Sequence, residues 1–422
     1  MKRMSSRLIN STVCAAALSL LVIGCTSHPK DNAPPAGSAS LAPSSAATTV
    51  PTPASTPTPT PVRTSNMTMS LDEKIGQMIF AGIDGYGMNA NTQALLATRR
   101  VGGIILYKPN IKDSSQLTSL VNELKQKNAT NKLPLWIGVD EEGGRVTRLP
   151  DEIKKTPTNQ EIGKKNNKQF AYNVGSLIGS ELRAYGLNVD FAPVLDINSN
   201  PKNPVIGDRS FGASASLVNT LGMQMMKGLR DQQIASVVKH FPGHGDTSVD
   251  SHVGLPVVQN DLNRLRKFEL LPFAEAVKQD ADAVMVAHIL LPKVDGQNPA
   301  SMSKKIMTDL LRKEMGFQGV IMTDDMTMGA IEKNYDLGAS AVKSVLAGAD
   351  VIMVGHDYNK VVTVIEALRK AVQDKRIPQE TIDQSVARIQ KLKQKYKLKD
   401  ESAGPVDTAA LNKAVQQVLN TK

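Results

Sequence analysis

The sequence predicts an α/β protein whose main body is a (β/α)8 TIM barrel, a single catalytic domain. Three observations predict it. Eight short apolar, β-rich runs follow one another along the chain, and a helical pattern follows each. Several of the runs are apolar without alternation, as parallel strands buried on both faces are. The stretch that carries them is long enough for eight βα units, which take about 250 residues, or more with insertions.

The runs are Gln77–Ile83, Gly103–Tyr107, Leu135–Val139, Asn188–Pro193, Ser236–His240, Ala283–Ile289, Val320–Thr323 and Val351–Gly355. Amphipathic stretches separate them: Ser114–Gln126, Ala171–Tyr185, Ala215–Gln232, Leu262–Gln279, Ser303–Met315 and Gly338–Ala347. The last two helices, Val361–Asp374 and Gln379–Tyr396, are long and lysine-rich on their outer face, and Leu411–Leu419 reads as one terminal helix. A doubly wound open sheet is the competing arrangement. Its dinucleotide fingerprint is missing, since neither Gly82-Ile83-Asp84-Gly85 nor Gly102-Gly103 completes GxGxxG after a strand. No phosphate-binding P-loop pattern occurs either.

The first residues are not fold. Lys2, Arg3 and Arg7 precede an apolar run from Ala15 to Ile23. A basic start and a short apolar run make a secretory signal. The run is shorter than the roughly 20 residues that span a bilayer, which disfavours the alternative, an uncleaved anchor. Leu21-Val22-Ile23-Gly24-Cys25 resembles a bacterial lipoprotein box, so residues 1–24 are expected to leave and Cys25 to carry lipid. Removal of Lys2, Arg3 and Arg7 takes three charges from the formal +10 and leaves +7. Cys14 leaves with them. With Cys25 acylated no free thiol remains, which excludes cysteine nucleophiles and cysteine-held metal.

Residues 25–68 are rich in Ser, Ala, Thr and Pro, with Pro51-Thr52-Pro53 and the Thr-Pro repeat from Thr56 to Pro61. Such a composition buries too little apolar surface to offset its ordering entropy and reads as an extended tether. The barrel is placed at 69–400 and a C-terminal tail at 401–422. Aromatics are 4% of the 422 residues, with Trp136 the single tryptophan, too few for a base-stacking nucleic-acid platform.

Chemistry in such a barrel sits at the C-terminal ends of the strands. Six of the eight runs end in acids or histidines: Asp140-Glu141-Glu142, Asp196, Lys239-His240, His288, Asp324-Asp325 and His356-Asp357. A packed core does not need these groups. His240 and His244 are four apart, but Pro242 and Gly243 forbid the helix that would aim both at a metal, so no metal site is assigned. Asp250-Ser251-His252 puts a carboxylate two residues from an imidazole. A tight turn would make the pair a proton shuttle near neutral pH; the spacing leaves open whether the two meet. Asp324, one threonine after Val320-Ile321-Met322, has the placement of a glycosidase nucleophile. Asp325 points the other way in a regular extended chain and is expected to be structural. No GxSxG elbow supports a serine hydrolase, and Lys239 is the one strand-end lysine placed for an aldolase or isomerase.

The stretch Lys239-His240-Phe241-Pro242-Gly243-His244-Gly245-Asp246-Thr247-Ser248-Val249-Asp250-Ser251-His252 resembles the signature of the β-N-acetylglucosaminidases of glycoside hydrolase family 3. Three further stretches resemble that family's other motifs: Asp140 to Arg148, Val205 to Gly212, and Gly319 to Asp325. The resemblance runs from about Leu71 to Lys393. It implies a retaining two-step mechanism with Asp324 as nucleophile and His252, paired with Asp250, as acid/base. It implies that Asp140, Arg148, Arg209, Lys239 and His240 bind a terminal GlcNAc. Were His252 to bind sugar instead, His244 is the next candidate for the shuttle. It implies no cofactor. Many family members carry a second domain after the barrel, and too little chain follows Tyr396 for one here.

The expected protein is thus a monomeric, lipid-anchored exo-β-N-acetylglucosaminidase outside the cytoplasmic membrane. Its expected partners are peptidoglycan-derived saccharides such as GlcNAc-MurNAc and the membrane, with no nucleic acid. Two alternatives stay open: a β-N-acetylglucosaminide phosphorylase on the same site, and a non-catalytic cell-wall glycan-binding lipoprotein.

Overall fold

A computed structural model describes residues 68–421. The expected leader, the lipid-accepting Cys25 and the tether up to residue 67 lie outside the described residues. Eight parallel strands close into a barrel in chain order: β1 Ile79–Gly82, β2 Gly103–Ile105, β3 Trp136–Val139, β4 Val189–Asp190, β5 Ala235–Phe241, β6 Ala283–Val286, β7 Val320–Asp325 and β8 Val351–Val354. Closure comes from β1 against β8, with Ile79 beside Ile352 and Ala81 beside Val354. Every expected run holds a strand. The barrel interior is packed, with Phe80 edge-on to Phe191 at 5.6 Å. Gly103 makes room for that ring, since a Cβ there would lie 2.5 Å from it.

At three places the difference from expectation has a clear local reason. Gln77 ends a helix, Leu71–Gln77, rather than opening a strand. Ser70 and Glu73 form a reciprocal capping box that starts this helix. Strand β4 shrinks to two residues. Asn188, just before it, serves β3 with its side chain as well as its backbone, accepting from Ile137 N–H and donating to the Leu135 carbonyl, while Pro193, beyond it, has no N–H to give. The stretch Leu262–Gln279 is two helices, Leu262–Lys267 and Leu271–Lys278, because Pro272 disfavours continuation through the residue before it and restarts the helix near its own first turn.

The N-terminal floor of the barrel is closed by the helix Gln379–Lys395. Its buried Lys393 donates to Gln77 Oε1 and to the carbonyls of Gly102 and Pro134, one group just before each of β1, β2 and β3. Beside it, buried Asp282 accepts from Lys395 and from the Tyr396 hydroxyl. The chain then crosses back. Asp400 accepts from Leu135 N–H and from Asn128. The terminal helix spans Thr408–Leu419, capped by Asp407, and packs on the helix Lys168–Ala184.

Candidate active site

At the opposite, C-terminal end of the strands lies a cavity of about 380 Å³. All eight side chains expected at the site line it: Asp140, Arg148, Arg209, Lys239, His240, Asp250, His252 and Asp324. They come from the ends of β3, β5 and β7, from the turn Gly207–Arg209 and from the loop after β5.

The base of the cavity is an ionic lattice. Lys239, buried, donates to Asp140 Oδ1 at 2.7 Å and lies 2.6 Å from Glu142 Oε1. Glu142 also receives two parallel bonds from Arg209, at 2.8 and 2.7 Å. Burial alone would raise the Glu142 carboxyl, but Arg209 and Lys239 hold it well below the usual carboxylate range. Arg148 approaches the other oxygen of Asp140 at 3.4 Å. His240 gives its Nδ1 hydrogen to buried Asp196 at 2.6 Å. Its Nε2 faces an Arg209 nitrogen at 3.4 Å. The result is a fixed set of donors and acceptors suited to a polyhydroxylated ring.

Lys239 and His240 are consecutive, yet both line the cavity. Neighbours in a regular strand point to opposite faces, but the register of β5 on β6 shifts between Val238 and Phe241. The same holds at Asp324 and Asp325, where β7 slips on β8 between Met322 and Asp325. The expectation that Asp325 points away is therefore corrected: the bulge turns both carboxylates to one side. Their surroundings still separate them. Asp325 is buried and engaged by the N–H groups of Thr327 and Gly355 and the Thr327 hydroxyl. Asp324 accepts only from the N–H of Asp325. Burial pushes the Asp324 carboxyl up, but His288, His240, that N–H and His252 outweigh it and keep it ionised. A half-buried, ionised carboxylate with few partners is the form a nucleophile needs.

The open question at Asp250 and His252 is resolved by contact. Asp250 Oδ1 accepts both the His252 N–H at 2.9 Å and His252 Nδ1 at 2.8 Å. A carboxylate accepts, so Nδ1 carries the hydrogen and Nε2 is left to exchange a proton. The loop is seated on the segment after β7: Ala330 N–H donates to the Ser251 carbonyl, and Lys333 reaches that of Val253. A Cβ on Gly329 would lie 2.5 Å from the His252 carbonyl. The segment that follows Asp324 thus also seats the Asp250–His252 pair. His244, the reserve shuttle, is buried between Thr247 and Ser251, and burial pulls its pKa to about 4. It organises the loop. His288 is buried too, giving its Nε2 hydrogen to the Asp325 carbonyl. Among the described residues no three His, Cys, Asp or Glu side chains converge as a metal-binding group.

Sequence reasoning gave Glu142 and Asp196 no role, though they fix Arg209, Lys239 and His240. A signal existed for Glu142, which stands two residues from Asp140 on the same side of an extended chain.

Behind β3 and β4 lie three buried carboxyls, Glu141, Glu181 and Asp190. Glu141 accepts from Thr147 and from the N–H groups of Arg148 and Leu149, which fixes the loop carrying Arg148. Both Glu181 oxygens and Asp190 Oδ2 have no partner. Burial lifts Glu141 to about 7, and burial with Glu141 nearby lifts Glu181 well above the usual range. A raised carboxyl pKa stabilises the fold below the unfolded value of about 4.3, and that contribution fades as pH rises through the folded value. Glu181→Gln should therefore lose less stability than the natural protein between pH 5 and pH 8. Parallel denaturation curves across that range would show that Glu181 holds no such proton.

The description "Glycosyl hydrolase family 3 N terminal domain" matches residues 70–392. The chain belongs to glycosyl hydrolase family 3. This family 3 barrel is 38% identical over 325 residues to Beta-hexosaminidase A of Pseudoalteromonas piscicida, covering 71% of this chain and 54% of that one. It thus spans little more than half the length of that relative. It is 34% identical to Beta-hexosaminidase LpqI of Mycobacterium tuberculosis, over 77% of this chain and 83% of that one. Among solved structures it is similar to a family 3 β-N-acetylglucosaminidase from Paenibacillus sp. str. FPU-7, with TM-score 0.79 and 42% identity. That match covers 83% of this chain and 68% of the other.

Proposed function

We propose that this family 3 barrel is a retaining exo-β-N-acetylglucosaminidase that removes terminal GlcNAc from peptidoglycan fragments. One observation carries the reading: an ionised carboxylate, Asp324, and a carboxylate-held imidazole, His252, line one cavity whose base is a lattice of buried hydrogen-bonding groups. The names of the relatives above support the sugar.

In the first step an Asp324 oxygen bonds the anomeric carbon and the bond to the aglycone oxygen breaks. The His252 Nε2 proton goes to that oxygen. In the second step Nε2 takes a proton from water, whose oxygen bonds the anomeric carbon and frees Asp324. Throughout, Asp250 holds the Nδ1 hydrogen and steadies the imidazolium.

The test is product analysis in phosphate buffer with a chromogenic GlcNAc glycoside and with GlcNAc-MurNAc. Free GlcNAc is expected from both. GlcNAc-1-phosphate would convert the assignment to a phosphorylase, and no turnover would leave a glycan-binding protein. The lipid anchor at Cys25 and an extracytoplasmic place belong to the same proposal, supported by the leader and box in the sequence. Cys25→Ala should release the protein from membranes with its specific activity unchanged; retention after leader cleavage would refute the anchor.

A further inference from the structure

The cavity grades from buried to exposed. Lys239 at its base has 1% of its side chain exposed, whereas His252 at its mouth has 66%. The mouth also holds a large exposed ring that the reaction does not use. His356, just after β8, lines the cavity with 63% of its side chain exposed. Its ring stacks on that of Tyr107, from just after β2 on the far side of β1, with centroids 4.7 Å apart and planes at 29°.

This pair is built, not incidental. The Tyr107 hydroxyl lies 3.4 Å from Asp325 Oδ2, and the Tyr107 N–H donates to Asn110. His356 Nε2 lies 4.0 Å from the same Asp325 oxygen. Asp325 in turn accepts the Gly355 N–H. A Cβ on Gly355 would fall 2.2 Å from the Tyr107 hydroxyl and 2.3 Å from Asp325 Oδ2. Only glycine at that position lets strand, tyrosine and carboxylate close up beneath the exposed imidazole.

We infer that the stacked Tyr107–His356 pair is the platform for the leaving group, and that the leaving group it fits is itself a pyranose ring. The inference rests on the proposed glycosidase reading. The proton donor must stand at the bond being broken, and His252 stands at the exposed mouth, so the aglycone lies on the exposed side. A pyranose offers a flat face of C–H bonds to an aromatic surface, and hydroxyls to the imidazole nitrogens. A small alcohol offers neither.

The experiment compares kcat/KM on two substrates, the GlcNAc–GlcNAc disaccharide and methyl β-GlcNAc, in the natural protein, His356→Ala and His356→Phe. His356→Ala should lose about tenfold more on the disaccharide than on the methyl glycoside, mostly in KM. His356→Phe restores a flat surface and should keep most of the preference. Equal losses on both substrates, or no loss on either, overturn the inference and leave the glycosidase reading standing. If the alanine variant fails to fold, the phenylalanine variant decides, and loss of its preference overturns the inference. Natural protein that cleaves neither substrate overturns the reading of the site and this inference with it.

Discussion

Asp324→Asn lowers kcat by more than about a thousandfold while circular dichroism and the thermal midpoint stay near those of the natural protein. The residue sits half-buried at the end of β7, and its one hydrogen bond is to the next N–H, which an amide oxygen can still accept. What disappears is the anionic oxygen that, in the proposed mechanism, bonds the anomeric carbon. Asp325→Asn is the contrasting variant. Its carboxylate braces Thr327 and Gly355, so its loss should fall on stability and only modestly on turnover. A dead but well-folded Asp325→Asn beside an active Asp324→Asn would move the nucleophile by one residue.

His252→Ala gives an effect that depends on the substrate. A nitrophenolate leaves without a proton, so bond cleavage to such an aglycone should slow by no more than about tenfold. With a disaccharide the leaving alkoxide needs the proton, and the loss should reach about 10²–10⁴-fold. The second step slows for both, so an initial burst and an accumulated glycosyl-enzyme are expected on the aryl glycoside. Azide attacks without a base and should restore turnover there. Asp250→Asn keeps the ring and should show a milder form of the same pattern, because the imidazole loses the carboxylate that orients it and holds its hydrogen. Equal losses on both substrates without azide rescue would make His252 a sugar-binding group.

The barrel was legible because its strands are uninterrupted apolar runs, and because a core has no use for the acids and histidines that end them. The dyad was half legible: two residues of spacing permit the Asp250–His252 contact, but the turn that makes it depends on the loop's seat at Ala330. Glu142 and Asp196 were hidden because their worth lies in partners 67 and 44 residues away, a distance no local pattern spans. The slips in β5 and β7 were hidden for a related reason. A bulge is a relation between two strands, so the run Thr323-Asp324-Asp325 reads as regular until β8 lies beside it.

Lys393 sets an order on how this molecule can be assembled. Its amine ties the chain just ahead of β1, β2 and β3, so the beginning of the barrel receives its last stitch from a residue 259 to 316 positions later. Closure of β1 on β8 has the same long reach. A ribosome adds roughly 5–20 residues each second, and contacts of such separation form slowly. For some tens of seconds the first three strands therefore exist without their floor, and the nascent chain stays an open curl whose two edges wait for each other.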